Sequence, residues 1–148
     1  MFKLSLNWRT HLTSWCIAAT LALTLGTGAS LAQPLAPDNK TVVMVPMRDG
    51  VQLATNVYVP EGDGPWPVIL TRTPYDKDGI DRSVAAYNDR GYAVVSQDVR
   101  GRYDSEGENR PFENDIEDGY DTVQWIASQT FSDGNIGIFG TSAPGITS

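Results

Sequence analysis

Apolar residues recur in short runs separated by turn-forming residues along most of the chain after residue 40. Two β-branched runs, residues 41–47 and 51–59, flank Asp49 and Gly50. This pair is favoured at the centre of tight hairpin turns because both positions tolerate positive φ. We therefore predict an antiparallel hairpin, preceded by an irregular, Pro-containing lead-in over residues 33–40.

A strand–helix–strand pattern follows the hairpin. Residues 67–71 and 92–99 are apolar runs typical of buried strands. Residues 81–90 between them indicate a helix, and Gly91 is a typical C-terminal helix cap. This order predicts two parallel strands joined by a right-handed crossover.

A second helix and a further strand are predicted after residue 113. Asn114 and Glu117 stand at capping-box spacing. Helical spacing up to about Gln129 is carried by Ile116, Tyr120, Val123, Ile126 and Ala127. Residues 135–139 are another buried strand. Apolar strands with two helical crossovers predict an α/β fold, with a mostly parallel sheet covered on both faces.

A turn of small residues follows that strand, with the sequence Gly140-Thr141-Ser142-Ala143-Pro144-Gly145. In a nucleophile elbow the strand-to-helix turn is so tight that small residues must flank the serine, whose hydroxyl projects above the sheet. Pro144 stands where the usual motif has glycine, so the pattern is G-x-S-x-x-G with Gly145. The backbone N–H of Ala143 would be the oxyanion donor. An ordinary Gly/Ser/Pro turn is the alternative interpretation.

The first 32 residues have the three-part pattern of a secretory signal peptide. Lys3 and Arg9 make a basic start, residues 15–25 are mostly apolar, and small residues precede a cleavage site after Ala32. The apolar run is shorter than the ~20 residues that cross a membrane, and an uncleaved anchor is the alternative. We expect export to a periplasm or out of the cell, without a stable membrane anchor.

Removal of residues 1–32 would leave a strongly acidic chain. The whole sequence has 11 Lys and Arg against 18 Asp and Glu, a net charge of −7, which becomes −9 without Lys3 and Arg9. Nucleic acid is not an expected partner, because phosphate contacts need Lys and Arg. The only Cys and the only His, Cys16 and His11, fall in the removed segment. Without Cys16 we predict no disulfide framework, and we predict no cofactor. We also predict no metal site, since the clustered Asp76, Asp78 and Asp81 do not complete the spacing of a calcium-binding loop.

Four further segments stand in order before Ser142. They are Met47-Arg48-Asp49-Gly50-Val51, Thr71-Arg72-Thr73-Pro74-Tyr75, Gln97-Asp98-Val99-Arg100-Gly101-Arg102 with Ser105-Glu106-Gly107, and Asp118-Gly119-Tyr120-Asp121-Thr122-Val123-Gln124-Trp125-Ile126. With the elbow they resemble the N-terminal part of the X-Pro dipeptidyl-peptidase-like hydrolases. That family includes cocaine-esterase-like, glutaryl-acylase-like and α-amino-acid ester hydrolase-like enzymes. The resemblance covers roughly residues 41–148 and implies an α/β-hydrolase fold that continues after the elbow.

The resemblance implies roles for three residues. Ser142 would be the acylated nucleophile, and the oxyanion would be bound by the Tyr75 hydroxyl together with the Ala143 N–H. From the sequence alone, Tyr75 is better interpreted as a packed loop aromatic. Many members have Tyr directly after the nucleophile, so Ala143 leaves the shape of the acyl pocket open.

The charged residues around these segments have simpler interpretations. Asp98 and Arg100 are expected to brace loops through ion pairs and backbone bonds, with substrate contact as the alternative. Four acidic residues at the start of the second helix are expected to be solvated charges favoured by the helix dipole, namely Asp115, Glu117, Asp118 and Asp121.

A serine nucleophile needs a histidine base oriented by an acid, and in this fold both follow the serine in the chain. The sequence has neither after Ser142, nor the helix expected there, and the strand over residues 135–139 would be an open sheet edge. We therefore expect a fragment of an exported serine hydrolase that acts on a small ester, an amide or a peptide, and we expect the fragment alone to be inactive. The alternative is a non-catalytic short product or binding module. The sequence does not indicate the oligomeric state.

Overall fold

The computed structural model describes residues 39–148, which form a mixed five-stranded sheet flanked by helices. The strands are β1 (Lys40–Pro46), β2 (Gln52–Tyr58), β3 (Trp66–Thr73), β4 (Ala93–Asp98) and β5 (Ser132–Ile138). The helices are α1 (Asp81–Asn88), α2 (Asp115–Ala127) and α3 (Ala143–Thr147), and a 3-10 turn at Lys77–Ile80 precedes α1. The predicted signal peptide and most of the lead-in lie outside the described residues.

The strand order β1-β2-β4-β3-β5 places the parallel strands together on one side of the sheet. The pairs β1–β2 and β2–β4 are antiparallel, whereas β3 runs parallel to both β4 and β5. The predicted α/β fold, with an antiparallel hairpin followed by parallel strands, is therefore confirmed. Because β3, β4 and β5 are parallel, their carboxyl ends share one edge of the sheet, and the segments after all three meet there.

The core lies on both faces of the central strands, because successive side chains of a strand point to opposite faces. On one face Val95 packs with Leu70 and with Ile126 of α2. On the other face Val94 packs with Tyr58 and with Val84 of α1. All six residues of β4 are buried. Among residues 39–148, no helix is both long and apolar enough to cross a membrane.

The hairpin turn is one residue longer than the prediction of a central Asp49-Gly50 pair. The Gly50 N–H donates to the Met47 carbonyl at 2.9 Å, and the Met47 N–H donates to the Val51 carbonyl at 2.8 Å. Only Gly50 has positive φ in this turn, at 89°. The carboxylate of Asp49 accepts a bond from the Val51 N–H at 3.2 Å, which fixes a three-residue loop with glycine at its left-handed position.

Helix α2 begins at the predicted place, but the predicted capping box is wrong. Asn114 precedes the helix with φ −106° and ψ 0°, and its side chain makes no capping bond. A side-chain cap needs the extended backbone that aims the side-chain oxygen at the first free N–H groups. The helical conformation of Asn114 prevents this.

The side of α2 that faces the sheet also differs from the predicted apolar stripe. Ile116 and Tyr120 are 83% and 60% exposed, whereas Asp118, Thr122 and Ile126 are buried. The buried face starts with polar residues because their partners, described below, are polar side chains of the sheet. Only the C-terminal part of the predicted stripe, at Val123 and Ile126, packs on the core.

Candidate active site

The turn after β5 has the geometry of a nucleophile elbow. Ser142 stands between β5 and α3 with φ 60° and ψ −130°, a conformation that non-glycine residues rarely adopt. Strained backbone of this kind concentrates at functional sites, where the surrounding structure enforces it. The Phe139 N–H continues the pairing with β3 by donating to the Leu70 carbonyl at 2.9 Å. The helix expected after Ser142 was predicted to be absent, but its first turn is present as α3.

Two glycines allow this turn. A Cβ on Gly140 would come within 2.4 Å of the Pro144 carbonyl group, and a Cβ on Gly145 would come within 2.9 Å of the Gly140 oxygen. These backbones therefore touch, and neither position has room for a side chain. The G-x-S-x-x-G spacing thus allows the backbones at Gly140 and Gly145 to approach closely, as the G-x-S-x-G spacing does in other nucleophile elbows.

Tyr75 and Ala143 line one cavity of about 220 Å³ at the carboxyl ends of the parallel strands. Ala143 is the first residue of α3, so its N–H has no acceptor within the helix. Tyr75 is 61% exposed, so it is not the packed aromatic that sequence alone favours. It also borders a second cavity with Gly140, Thr141 and Pro144. The structure thus brings Tyr75 beside the serine turn, together with Ala143.

A buried arginine, Arg72, lies beneath the elbow. Its guanidinium donates to Gln97 at 2.9 Å, to the Asp115 carbonyl at 3.0 Å and to the Thr147 carbonyl of α3. Its own carbonyl accepts a bond from the Thr147 hydroxyl at 3.0 Å. Burial lowers the pKa of the guanidinium against the opposing effect of Asp115 and Asp118. No role was predicted for Arg72 from the sequence, although a cation at the end of a buried strand was a usable signal.

Asp118 was predicted from the sequence to be a solvated charge at the start of the helix, and this is wrong, because Asp118 is 1% exposed. Its carboxylate binds the Arg100 guanidinium at 2.6 Å and lies 3.9 Å from that of Arg72. Arg100 also binds Asp49 of the hairpin at 2.7 Å, and both bonds raise its pKa. The expected bracing role of Arg100 is thus what the contacts show.

The same correction applies to Asp121, which binds the side chain and the backbone N–H of Arg48. The bond with Arg48 holds the pKa of Asp121 below its usual range. The polar face of α2 is therefore tied to the hairpin and to the loop after β4 instead of facing water.

The acidic cluster at residues 76–81 is occupied by partners from the chain itself. Asp78 accepts from Lys40 and from Asn56, both at 2.7 Å, and the bond with Lys40 lowers its pKa. Asp81 binds the hydroxyl of the buried Tyr58. Within residues 39–148, no group of three or more His, Cys, Asp or Glu has a metal-binding arrangement.

The loop that carries Tyr75 is held by a buried ion pair. The Lys77 ammonium lies 3.3 Å from the Asp98 carboxylate, and these side chains are 3% and 0% exposed. Burial raises the pKa of Asp98, against the opposing effect of Lys77. Burial alone would lower the pKa of Lys77, but its bonds with Asp104 and Asp98 outweigh this and raise it. Asp98 therefore braces the loop, as sequence analysis expected.

Comparison with known proteins identifies the family of the chain. Residues 49–148 match the model of the X-Pro dipeptidyl-peptidase (S15) family. The chain is 51% identical over 111 residues to cocaine esterase of Rhodococcus sp. (strain MB1 Bresler), a match that covers 71% of this chain and 19% of the relative. The chain thus spans about a fifth of the length of that curated relative.

Solved structures of hydrolases are also similar to this chain. An α-amino acid ester hydrolase is 33% identical with a TM-score of 0.66, and the match covers 84% of this chain and 25% of the other. A CocE/NonD family hydrolase from Staphylococcus aureus is 28% identical with a TM-score of 0.62, over 74% of this chain and 23% of the other. The mixed sheet and these matches together show that the chain belongs to the X-Pro dipeptidyl-peptidase (S15) family of α/β hydrolases.

Proposed function

We propose that the full-length protein is an exported serine hydrolase that cleaves an ester or amide bond through an acyl-enzyme on Ser142. The observation that carries this proposal is the backbone of Ser142, with φ 60° at a strand-to-helix turn between two glycines in contact. An ordinary turn does not need a serine in a strained conformation at the carboxyl edge of a parallel sheet.

In the proposed reaction the Ser142 hydroxyl attacks the carbonyl carbon of the substrate and gives its proton to a histidine base. The negative charge that develops on the carbonyl oxygen is bound by the Ala143 N–H and by the Tyr75 hydroxyl, which line the same cavity. The tetrahedral intermediate then expels the alcohol or amine, which takes up the proton. Water next attacks the acyl-enzyme by the same route and releases the acid and free Ser142.

The base and its acid are expected after Ser142 in the chain, because that is their order in this fold. No histidine lies among residues 39–148. We therefore propose that residues 33–148 supply the nucleophile and the oxyanion donors, and that by themselves they give no turnover. Purified 33–148 that hydrolyses substrate at the rate of the full-length enzyme would refute this part of the proposal.

An ester is the first substrate class to test. The relatives at 51% and 33% identity are named for ester cleavage, whereas the family model is named for X-Pro dipeptides. Assays of the full-length enzyme on aryl esters and on X-Pro anilides, run in parallel, separate these classes. A higher kcat/KM for the ester by two orders of magnitude would support the esterase assignment, and the reverse ratio would make the enzyme a dipeptidyl-peptidase.

The assignment of Ser142 is tested by Ser142→Ala in the full-length protein with a fluorophosphonate probe. We expect labelling and turnover to be abolished. Ser128→Ala is the matched control, because Ser128 is an exposed serine after α2 and should label normally. Undiminished labelling of Ser142→Ala would contradict the proposed nucleophile.

Export is tested on the native protein in its source cells. We expect a band several times larger than residues 33–148, in the periplasm or the medium, with Gln33 at its N-terminus. A retained N-terminus would instead indicate an uncleaved anchor. A native band of the size of residues 33–148 would favour the non-catalytic short product.

A further inference from the structure

We propose that the buried pair Lys77–Asp98 is a positioning device for Tyr75, which holds the strained backbone at Asp76 so that the phenol stays beside the serine turn. This inference rests on the oxyanion role proposed for Tyr75. Lys77 and Asp98 touch no reacting atom in this proposal. They act through the loop that joins β3 to the 3-10 turn.

The backbone next to Tyr75 is strained. Asp76 has φ 96° and ψ 118°, outside the regions that side-chain-bearing residues normally adopt. Two local bonds help to hold this bend, from the Asp78 N–H to the Asp76 carboxylate at 3.0 Å and from the Gly79 N–H to the Asp76 carbonyl at 3.1 Å. Strained backbone persists only where the surrounding structure fixes it. Asp76 lines the same cavity as Gly140, Thr141 and Pro144, so a second strained non-glycine position lies near the turn that carries Ser142.

Lys77 fixes the downstream end of this bend with three different groups. Its N–H donates to one oxygen of Asp98 at 2.8 Å, and its ammonium lies 3.3 Å from the other oxygen. Its carbonyl accepts a bond from the Ser96 hydroxyl at 2.8 Å. Because Ser96 and Asp98 both belong to β4, a single residue of the loop is bound at three points to a buried strand.

The upstream end is fixed as well. The Tyr75 N–H donates to the Thr73 hydroxyl at 3.0 Å, and the Pro74 carbonyl accepts a bond from Arg102 at 3.1 Å. The backbone on both sides of Tyr75 is therefore held, although the residue is 61% exposed. A rigid loop that presents a free phenol to a cavity is the arrangement that a preorganised hydrogen-bond donor requires.

The need to stabilise the loop does not by itself explain a buried ion pair, because the desolvation of two charges has a free-energy cost. Burying a lysine and an aspartate removes both from water, and an apolar pair of similar volume often serves stability equally well. The pair fixes the orientation of the loop, because the Asp98 carboxylate binds the backbone N–H and the ammonium of Lys77 at once. The outer contact of Lys77 with Asp104 adds a second acceptor that is itself exposed.

The test is the effect of Asp98→Asn on kcat, measured in the full-length enzyme with and without Tyr75→Phe. The amide keeps the size of the side chain but removes its charge. Rates are expressed per labelled Ser142, so that unfolded molecules do not count. We expect kcat to fall about tenfold with KM changed less than about twofold, because the lost interaction is made in the transition state. In the Tyr75→Phe background we expect a change of less than about twofold, because the residues act through one hydroxyl.

Three outcomes separate the possibilities. Equal losses with and without Tyr75→Phe, or no loss at all, would overturn the positioning role. Tyr75→Phe without any effect on kcat would instead overturn the oxyanion role proposed for Tyr75, while labelling of Ser142 reports the nucleophile independently. Asp121→Asn is the control, because it breaks an ion pair with Arg48 away from the Tyr75 loop and should leave kcat unchanged.

A second variant covers the case in which Asp98→Asn gives no folded enzyme. Asp104 is 72% exposed and binds Lys77 from outside, so Asp104→Asn is expected to fold. We expect it to lower kcat by about two- to fivefold, and we expect this loss to disappear in the Tyr75→Phe background. A loss that persists in that background, or an unchanged kcat, would overturn the inference.

Discussion

Gly140 and Gly145 face each other across the serine turn so closely that a Cβ on Gly140 would lie 2.5 Å from the Gly145 nitrogen. The strand leaves the sheet and the helix enters beneath it with backbone against backbone. This contact forces the chain between them into a sharp reversal, and Ser142 takes the strained position of that reversal. The conformation of the proposed nucleophile thus depends on glycine, which has no side chain, at positions 140 and 145.

Gly140→Ala is expected to abolish fluorophosphonate labelling of the full-length protein. The new methyl group would lie 2.4 Å from the Pro144 carbonyl carbon, and because this neighbour is backbone, the turn that carries Ser142 must shift. Gly137→Ala, on the strand β5 that precedes the turn, is the matched control, because its Cβ would meet only the Val68 oxygen at 3.9 Å. Normal labelling of Gly140→Ala would show that the turn tolerates a side chain.

Asp118→Asn is expected to lower the free energy of unfolding by about 3 kcal/mol, at the lower end of the cost of breaking a buried ion pair. The variant leaves the buried Arg72 and the nearly buried Arg100 without the carboxylate between them. Glu117→Gln, one residue earlier on α2 and exposed, is the control and should change stability little. Urea unfolding of both variants measures the difference, and equal midpoints would contradict the buried network.

Arg72→Lys is expected to destabilise the full-length protein by about 1–3 kcal/mol, although the charge is kept. An ammonium cannot reach Gln97, the Asp115 carbonyl and the Thr147 carbonyl at once, as the guanidinium does. Arg90→Lys is the control, since Arg90 also binds a backbone carbonyl but is exposed. Thermal unfolding should separate the two variants. A similar unfolding midpoint for both variants would mean that α3 does not depend on the hydrogen bonds of the Arg72 guanidinium.

Asp78 is expected to contribute stability at neutral pH that is lost in acid. The bond with Lys40 lowers the pKa of Asp78 below the ordinary 3.8, so the folded protein binds this proton less readily than the unfolded chain. Its stabilising effect is therefore complete above the ordinary pKa and disappears as the pH falls through the lowered value. The difference in unfolding midpoint between wild type and Asp78→Asn should shrink from pH 7 to about pH 3. A difference that stays constant with pH would contradict the lowered pKa.

Most secondary structure could be predicted because it depends on neighbouring residues. The end of α1 illustrates this, since the Gly91 N–H donates to the Asn88 carbonyl at 2.8 Å with glycine φ at 77°, as its cap position predicts. The hairpin loop was predicted one residue short, because the sequence pattern did not include the bond between the Asp49 carboxylate and the Val51 N–H.

The buried face of α2 was predicted wrongly for a physical reason. Hydrophobic spacing assigns the core side to apolar residues, which here placed Ile116 and Tyr120 inward. The sheet beneath the start of α2 presents Arg72 and Gln97, so the matching side chains are Asp118 and Thr122. A polar face can be buried when its partners are polar, and those partners lie 25 and 46 positions away in the chain.

By itself the sequence determined the five strands, the helices α1 and α2, the α/β class and the residues of the serine turn, because hydrophobic period, turn residues and small-residue spacing act over a few positions. Only the tertiary structure decided which charged residues are buried, that Tyr75 presents a free phenol beside Ala143, and that Gly145 meets Gly140 in place of the usual glycine. These features depend on contacts between the ends of β3, β4 and β5. The parallel sheet brings those ends to one edge, and no local pattern in the chain records which side chains then meet.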